Sequence, residues 1–109
     1  MSYQIDKQRW ARLNIFEQMG NIYSEVGRSF AAKKRHDKTA CDKAVERAVD
    51  LFNETINGLI AAKSPRAREV LRAKEEFLKI INDNRVSNEE IESLDHYFFH
   101  FAIAARLNS

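Results

Sequence analysis

Charged and amide side chains recur at helical spacing along the sequence, and their types suit a polar network or an anion site. Asn21, Glu25 and Arg28 follow one another at steps of four and three residues, which places them on one side of a helix. Further members of this polar cluster are Arg47, Asp50, Arg68, Arg72, Glu75 and Arg106. Arginine binds carboxylates and other anions through paired hydrogen bonds. The pattern favours half-exposed ion pairs that fix helix register. The alternatives are a small anion pocket and a specificity element at an interface.

Three possible metal ligands occur in the C-terminal part of the chain. Glu92, His96 and His100 are four residues apart, so they can share one helix face. Two histidines at this spacing, together with a carboxylate, can bind zinc. A fourth ligand would come from elsewhere, with His36 and Asp95 as candidates. Because neither an HExxH motif nor a cysteine pair accompanies them, the sequence favours exposed histidines over a metal site.

A basic run follows the first long helical pattern and consists of Lys33, Lys34, Arg35 and Lys38. Such a run can contact the phosphates of a nucleic acid. However, the net charge of the chain is only +2, and no aromatic side chains are interleaved with the cations. Cations are also common at the C-terminal end of a helix, where carbonyl groups lack partners. The run therefore favours a solvated helix end, and nucleic-acid contact remains the alternative.

The sequence offers little support for catalysis or for a bound cofactor. Its single cysteine, Cys41, falls on an apolar stripe, where a thiol behaves as a small hydrophobic group. One cysteine cannot form an internal disulfide, which is typical of a reducing compartment. Glycine-rich phosphate loops are absent from the sequence. We therefore expect no catalytic residue, no cofactor and a protein that is not an enzyme.

Apolar residues repeat with a helical period throughout the chain, and we find no alternation typical of strands. The period predicts four helices, over about residues 8–34, 38–63, 65–82 and 88–107. Short loops place neighbouring helices antiparallel. We therefore predict an all-α fold, an up-down antiparallel four-helix bundle, with residues 1–109 as a single helical domain.

The predicted first helix carries two adjacent apolar stripes and two interior glycines, Gly20 and Gly27. Because glycine costs about 1 kcal/mol in a helix interior, we expect another helix to approach closely at both positions, with aromatic rings filling the space between. The alternative is a kink at Gly20. The apolar faces of the first and last helices are wider than a small monomer needs, which favours a homodimer.

Polar residues at the predicted boundaries can cap the helices that follow. Asp37 or Thr39 can cap the second helix, and Ser64, followed by a proline, can cap the third. Ser87 and Glu90 have the spacing of a capping box at the start of the fourth. These positions mark the predicted loops.

Four sequence segments, one in each predicted helix, resemble those of a known group of proteins. The segments are NIYSEVGR at Asn21–Arg28, ERAVDLFNETI at Glu46–Ile56, RAREVLRAKE at Arg66–Glu75 and YFFHFAIAAR at Tyr97–Arg106. In this order they resemble segments of short, uncharacterised bacterial helical proteins. The resemblance spans nearly the whole chain and implies one compact helical domain. No activity is known for that group, so the resemblance implies no chemistry.

These observations favour a non-enzymatic interaction or accessory protein that acts through helix faces as a homodimer, with an unidentified protein as a further possible partner. One alternative is a nucleic-acid-associated accessory factor that uses the basic end at residues 33–38. Another is a helical protein that binds a small anion or a metal. The N-terminus lacks the apolar core of a signal peptide, and no long stretch is free of charge. We therefore expect a cytoplasmic protein without a membrane partner.

Overall fold

Helix is the only regular secondary structure in the part of the chain that the computed structural model describes, residues 5–85 and 88–107. The all-α prediction is confirmed for these residues. The five helices are α1 (Lys7–Ala11), α2 (Ile15–Lys34), α3 (Lys38–Ala61), α4 (Arg66–Asn82) and α5 (Asn88–Leu107). Within the same ranges, none of them has the length and apolar character needed to cross a membrane.

The predicted helix over residues 8–34 is wrong, because the chain breaks between α1 and α2. The break comes from a capping box that the apolar period conceals. The Asn14 side chain accepts a hydrogen bond from the Glu17 backbone N–H at 2.9 Å, and the Glu17 carboxylate accepts one from the Asn14 backbone N–H at 3.1 Å. These bonds satisfy N–H groups that a new helix leaves without partners. With five helices, the predicted four-helix bundle is not confirmed.

The two glycines of α2 do not mark a close helix contact. The helix passes through Gly20 and Gly27 without a break, so no kink occurs there. A Cβ atom built at either position meets no other atom within 4 Å among the described residues. The predicted close approach is therefore wrong. Phe16, Tyr23 and Phe30 lie on the same side of α2 and pack their rings against α4 and α5, so aromatic rings fill this interface, as predicted.

Of the candidate caps at the two middle boundaries, Asp37 is confirmed, whereas Ser64 lies one residue before the N-cap of α4, which is Pro65 without a side-chain cap. The Asp37 carboxylate accepts a hydrogen bond from the Ala40 backbone N–H at 3.0 Å and so begins α3. The Ser64 hydroxyl accepts one from the Arg66 backbone N–H at 3.2 Å at the start of α4. Ser87, predicted to cap α5, lies outside the described residues.

Phenylalanine rings from three helices meet in the centre of the core. Phe52 of α3 lies 6.2 Å from Phe77 of α4 and 6.1 Å from Phe98 of α5, measured between ring centroids. All three side chains are completely buried, as are Met19 and Ile22 of α2. Burial of large apolar side chains is the main source of stability in a domain of this size.

Candidate functional site

Three members of the predicted polar cluster come together at the interface of α2 and α3. The buried Glu25 carboxylate accepts hydrogen bonds from Arg28 Nη1 at 2.6 Å and from Arg47 Nε at 3.0 Å. Arg28 is on the same helix, one turn further on, whereas Arg47 belongs to α3. Both carboxylate oxygens of Glu25 are thus engaged. This arrangement fixes the register of the two helices, which matches the ion-pair interpretation of the cluster.

The other predicted members do not join Glu25. The Asn21 amide donates to the Glu17 backbone carbonyl of its own helix at 2.9 Å. Within the described part of the chain, four members form no hydrogen bond or ion pair: Asp50, Arg68, Arg72 and Glu75. The side chain of Arg106 lies outside the described residues. The geometry therefore provides a local ion-pair network rather than a pocket built from all nine residues.

A second polar network, which sequence reasoning missed, fastens α1 to the rest of the fold. The indole N–H of Trp10 donates to the Thr55 hydroxyl at 3.1 Å, and that hydroxyl donates to the Gln18 side-chain oxygen at 2.9 Å. The Gln18 amide donates in turn to the backbone carbonyls of Trp10 and Leu13. Every polar group in this neutral network has a partner. In the sequence, the single tryptophan and a threonine within an apolar stripe are the residues that could have indicated this network.

The two networks lie about one heptad apart along the same pair of helices. Gln18 of α2 contacts Thr55 of α3, and Glu25 of α2 contacts Arg47 of α3. Because the α3 residue numbers fall as the α2 numbers rise, α2 and α3 are antiparallel. A shift of either helix would break both polar contacts, so together they favour this register.

The basic run is mostly engaged within the fold. Lys33 Nζ donates to the backbone carbonyls of Ile81 and Asp83 and so caps the C-terminal end of α4. Arg35 pairs with Asp37 at 3.8 Å, and Lys38 pairs with Asp42 at 2.9 Å. Further exposed cations among the described residues, such as Lys34, have no such partner. Three of the four cations of the run are therefore paired at a helix end, and this lowers its capacity to bind phosphates.

The predicted metal ligands do not converge. Glu92, His96 and His100 are all exposed on α5. A helix rises about 1.5 Å per residue, so the first and last of them are about 12 Å apart along the axis, too far to bind one ion. No group of three or more His, Cys, Asp or Glu residues within residues 5–85 and 88–107 is placed to hold a metal ion.

A cleft of about 610 Å³ lies where the ends of α2 and α4 meet the start of α3. Its walls include Lys33, His36, Cys41, Ile81 and Asn84. The Cys41 thiol is free and half-buried, as expected for a small apolar group at a helix edge. His36 has a left-handed backbone with a φ of 58°, which closes the C-terminal end of α2. These groups do not form a nucleophile with a hydrogen-bonded base.

A second cleft, of about 620 Å³, separates α4 from α5 and is acidic. Glu76, Glu89 and Glu90 line it together with Tyr97. The Tyr97 hydroxyl donates to the Glu69 carboxylate at 3.4 Å. Burial and the negative charge of Glu69 raise the pKa of Tyr97 above its ordinary value. The phenol is therefore a neutral donor in this cleft at physiological pH.

The contact between α2 and α5 combines a ring stack with a hydrogen bond. The rings of Tyr23 and Phe98 are stacked with centroids 5.5 Å apart, and the Tyr23 hydroxyl donates to the Asp95 carboxylate. This hydrogen bond, with desolvation and the Asp95 charge, raises the pKa of Tyr23 to about 12. Asp95, which we considered as a fourth metal ligand, therefore holds α5 against α2.

Two large apolar side chains remain exposed on the side of α5 that faces away from the core. Phe99 is 52% exposed and Ile103 is 42% exposed, whereas Phe98 on the other side of the helix is fully buried. Glu92 and His96 continue this row towards the N-terminal end at steps of four and three residues. We call Glu92, His96, Phe99 and Ile103 the α5 outer face. This face presents two apolar side chains to solvent on one turn of the helix.

Comparisons of the chain with protein-family models, curated proteins and solved structures found no match. The resemblance of four segments to short bacterial helical proteins therefore stays a prediction.

Proposed function

We propose that this is a non-enzymatic interaction or accessory protein that acts through an exposed helix face as a homo-oligomer. The observation that carries the proposal is the α5 outer face, where Phe99 and Ile103 stand one turn apart in contact with water. Covering apolar surface releases about 25 cal/mol for each Å² removed from water. Two such side chains on one turn of a regular helix provide the centre of an interface.

The polar features of the fold support this proposal over the alternatives. A nucleic-acid interface needs cations gathered on one face. Here Lys33, Arg35 and Lys38 each contact carbonyl or carboxylate groups of the protein itself. The Glu25 carboxylate likewise engages the nearest guanidinium groups. These groups serve the fold, and we infer that the α5 outer face serves function.

We also propose a helix arrangement and a cellular location for this protein. Helices α2, α3, α4 and α5 each contact their neighbour in sequence, and α5 also contacts α2. We infer from this closed ring of contacts that α2–α5 form an up-down antiparallel four-helix bundle. In this bundle, α1 is a short strap across one end, held by Trp10. A cytoplasmic location accords with the single free cysteine.

The mass of the protein in solution, measured by light scattering during gel filtration, tests the homo-oligomer. We expect the wild type to exceed the monomer mass and the variant Phe99→Ser/Ile103→Ser to have the monomer mass. The matched control is Ile60→Ser/Leu71→Ser, which removes two other exposed apolar side chains, 60% and 40% exposed. This control should keep the wild-type mass. A monomeric wild type, or nucleic acid eluting with it, would contradict the proposal.

A further inference from the structure

We propose that the α5 outer face binds the same face of a second copy of this chain, with the two α5 helices antiparallel. This inference rests on the proposed homo-oligomer and specifies its interface. A two-fold axis passes between His96 and Phe99. Phe99 then packs against the second copy's His96, and Ile103 lies opposite the second copy's Glu92. Each contact occurs twice, as a two-fold interface requires.

The distribution of charge along α5 is the reason for a second copy and for the antiparallel direction. The first ten residues of the helix, 88–97, carry four carboxylates: Glu89, Glu90, Glu92 and Asp95. The last ten, 98–107, carry none and contain Arg106 and His100. An antiparallel pair therefore places the acidic half of each helix against the half without carboxylates. A parallel pair would place the Glu92 carboxylates of the two outer faces side by side, and such repulsion selects against that arrangement.

The spacing of the face fits the same arrangement. Glu92, His96, Phe99 and Ile103 follow steps of four, three and four residues, the spacing with which one helix packs along another. The helix macrodipoles add to the preference, because each positive N-terminal end lies near a negative C-terminal end. The buried residues Leu94, Phe98 and Phe101 lie on the other side of α5, so pairing leaves the core undisturbed.

Engineered cysteines test the direction of the pair. In a Cys41→Ala background, Glu92→Cys and Ile103→Cys are prepared separately, mixed and oxidised. We expect disulfide-linked dimers between the two variants and almost none within either variant alone. In the antiparallel pair, the two copies of residue 92 are about 16 Å apart along the axis, beyond the reach of a disulfide. Both positions are exposed, so the variants should fold, which circular dichroism checks.

Each other outcome has a distinct meaning. Cross-links within each variant alone would show a parallel pair and overturn the inference. If the wild type is oligomeric by mass but the cysteine variants form no cross-link, alone or mixed, the interface lies elsewhere and only the proposed function stands. A monomeric wild type would end both proposals.

Charge reversal tests the electrostatic reasoning separately. Glu92→Lys, at the acidic end of the α5 outer face, should weaken association by about tenfold, since the change acts twice across the two-fold axis. Glu75→Lys, an exposed carboxylate of α4, is the matched control and should leave the dissociation constant unchanged. Equal effects of the two variants would contradict the assigned interface.

Discussion

α2 and α5 are both twenty residues long, and both were expected to have apolar faces too wide for a small monomer. The two faces differ in how far the rest of the chain buries them. In α2, one stripe is buried at Met19 and Ile22, and the aromatic stripe beside it packs against rings of α4 and α5. In α5, Phe98 is buried while its neighbour Phe99 is exposed.

The difference follows from the position of each helix. α2 contacts α3, α4 and α5, so partners within the chain cover a wide face. α5 contacts α2 and α4, and Phe99 and Ile103 on its outer side remain exposed. A wide apolar face in the sequence therefore predicts many neighbours, but it does not show whether they belong to the same chain.

The largest expected effect comes from the adjacent pair Phe98 and Phe99. Phe98→Ala should lower the free energy of unfolding by about 3–5 kcal/mol, because it opens a cavity among buried rings. Phe99→Ala should change the stability of the monomer by no more than about 0.5 kcal/mol, but it should weaken association. Urea unfolding at low protein concentration measures the free energy of unfolding of the monomer. Equal losses of monomer stability would remove the distinction between the two sides of α5.

Hydrogen bonds of Trp10 attach α1 to α2 and α3, and Thr55→Val tests this attachment. Valine keeps the shape of threonine but leaves the Trp10 indole N–H and the Gln18 oxygen without their shared partner. An unsatisfied buried polar group costs about 1–3 kcal/mol, so the unfolding free energy should fall by that amount. Trp10 fluorescence should shift to longer wavelength as α1 loosens. Thr39→Val, at an exposed position of the same helix, should show neither change.

Gly27→Ala tests whether the solvent-exposed side of α2 has space for a side chain. Because no atom lies within 4 Å of the added Cβ, alanine should raise the unfolding free energy by about 1 kcal/mol through its higher helix propensity. Ala31→Gly, at an exposed site one turn further on, should lower it by a similar amount. A loss of stability in Gly27→Ala would show that another helix does approach there. Thermal unfolding of both variants measures the difference.

The smallest effect concerns the contact between the two helices at alkaline pH. The pKa of Tyr23 is raised from 10.0 to about 12, so the folded protein binds this proton more tightly than the unfolded chain. The contribution of this group to stability is complete below pH 10 and is lost as the pH rises towards 12. Asp95→Asn should reduce that loss. Urea unfolding across this pH range measures it, and an unchanged pH dependence would remove Asp95 as the cause.

The sequence was informative where local patterns decide the structure. The apolar period located α3, α4 and α5, and Asp37 was one of two candidate caps for α3 because capping depends on residues three positions away. The break at Asn14 was missed, because the apolar stripe continues in phase across it. Its capping-box spacing to Glu17 is nevertheless visible in the sequence.

Long-range contacts were harder to predict. The spacing of Glu25 and Arg28 indicated their pairing, since both are on one helix. The choice of Arg47, rather than another cation of the cluster, depends on how α2 and α3 align. The Trp10–Thr55 bond spans 45 residues and joins uncharged groups, so neither spacing nor charge indicated it.

The reactivity of a thiol on each helix at different protein concentrations tests most directly whether a partner covers the α5 outer face. In the Cys41→Ala background, Ile103→Cys reports on the α5 outer face, and Ser24→Cys reports on an exposed position of α2. We predict that labelling of residue 103 slows as concentration rises about a hundredfold, because association covers it, while labelling of residue 24 keeps its rate. Concentration-independent labelling at both positions would contradict a partner on α5.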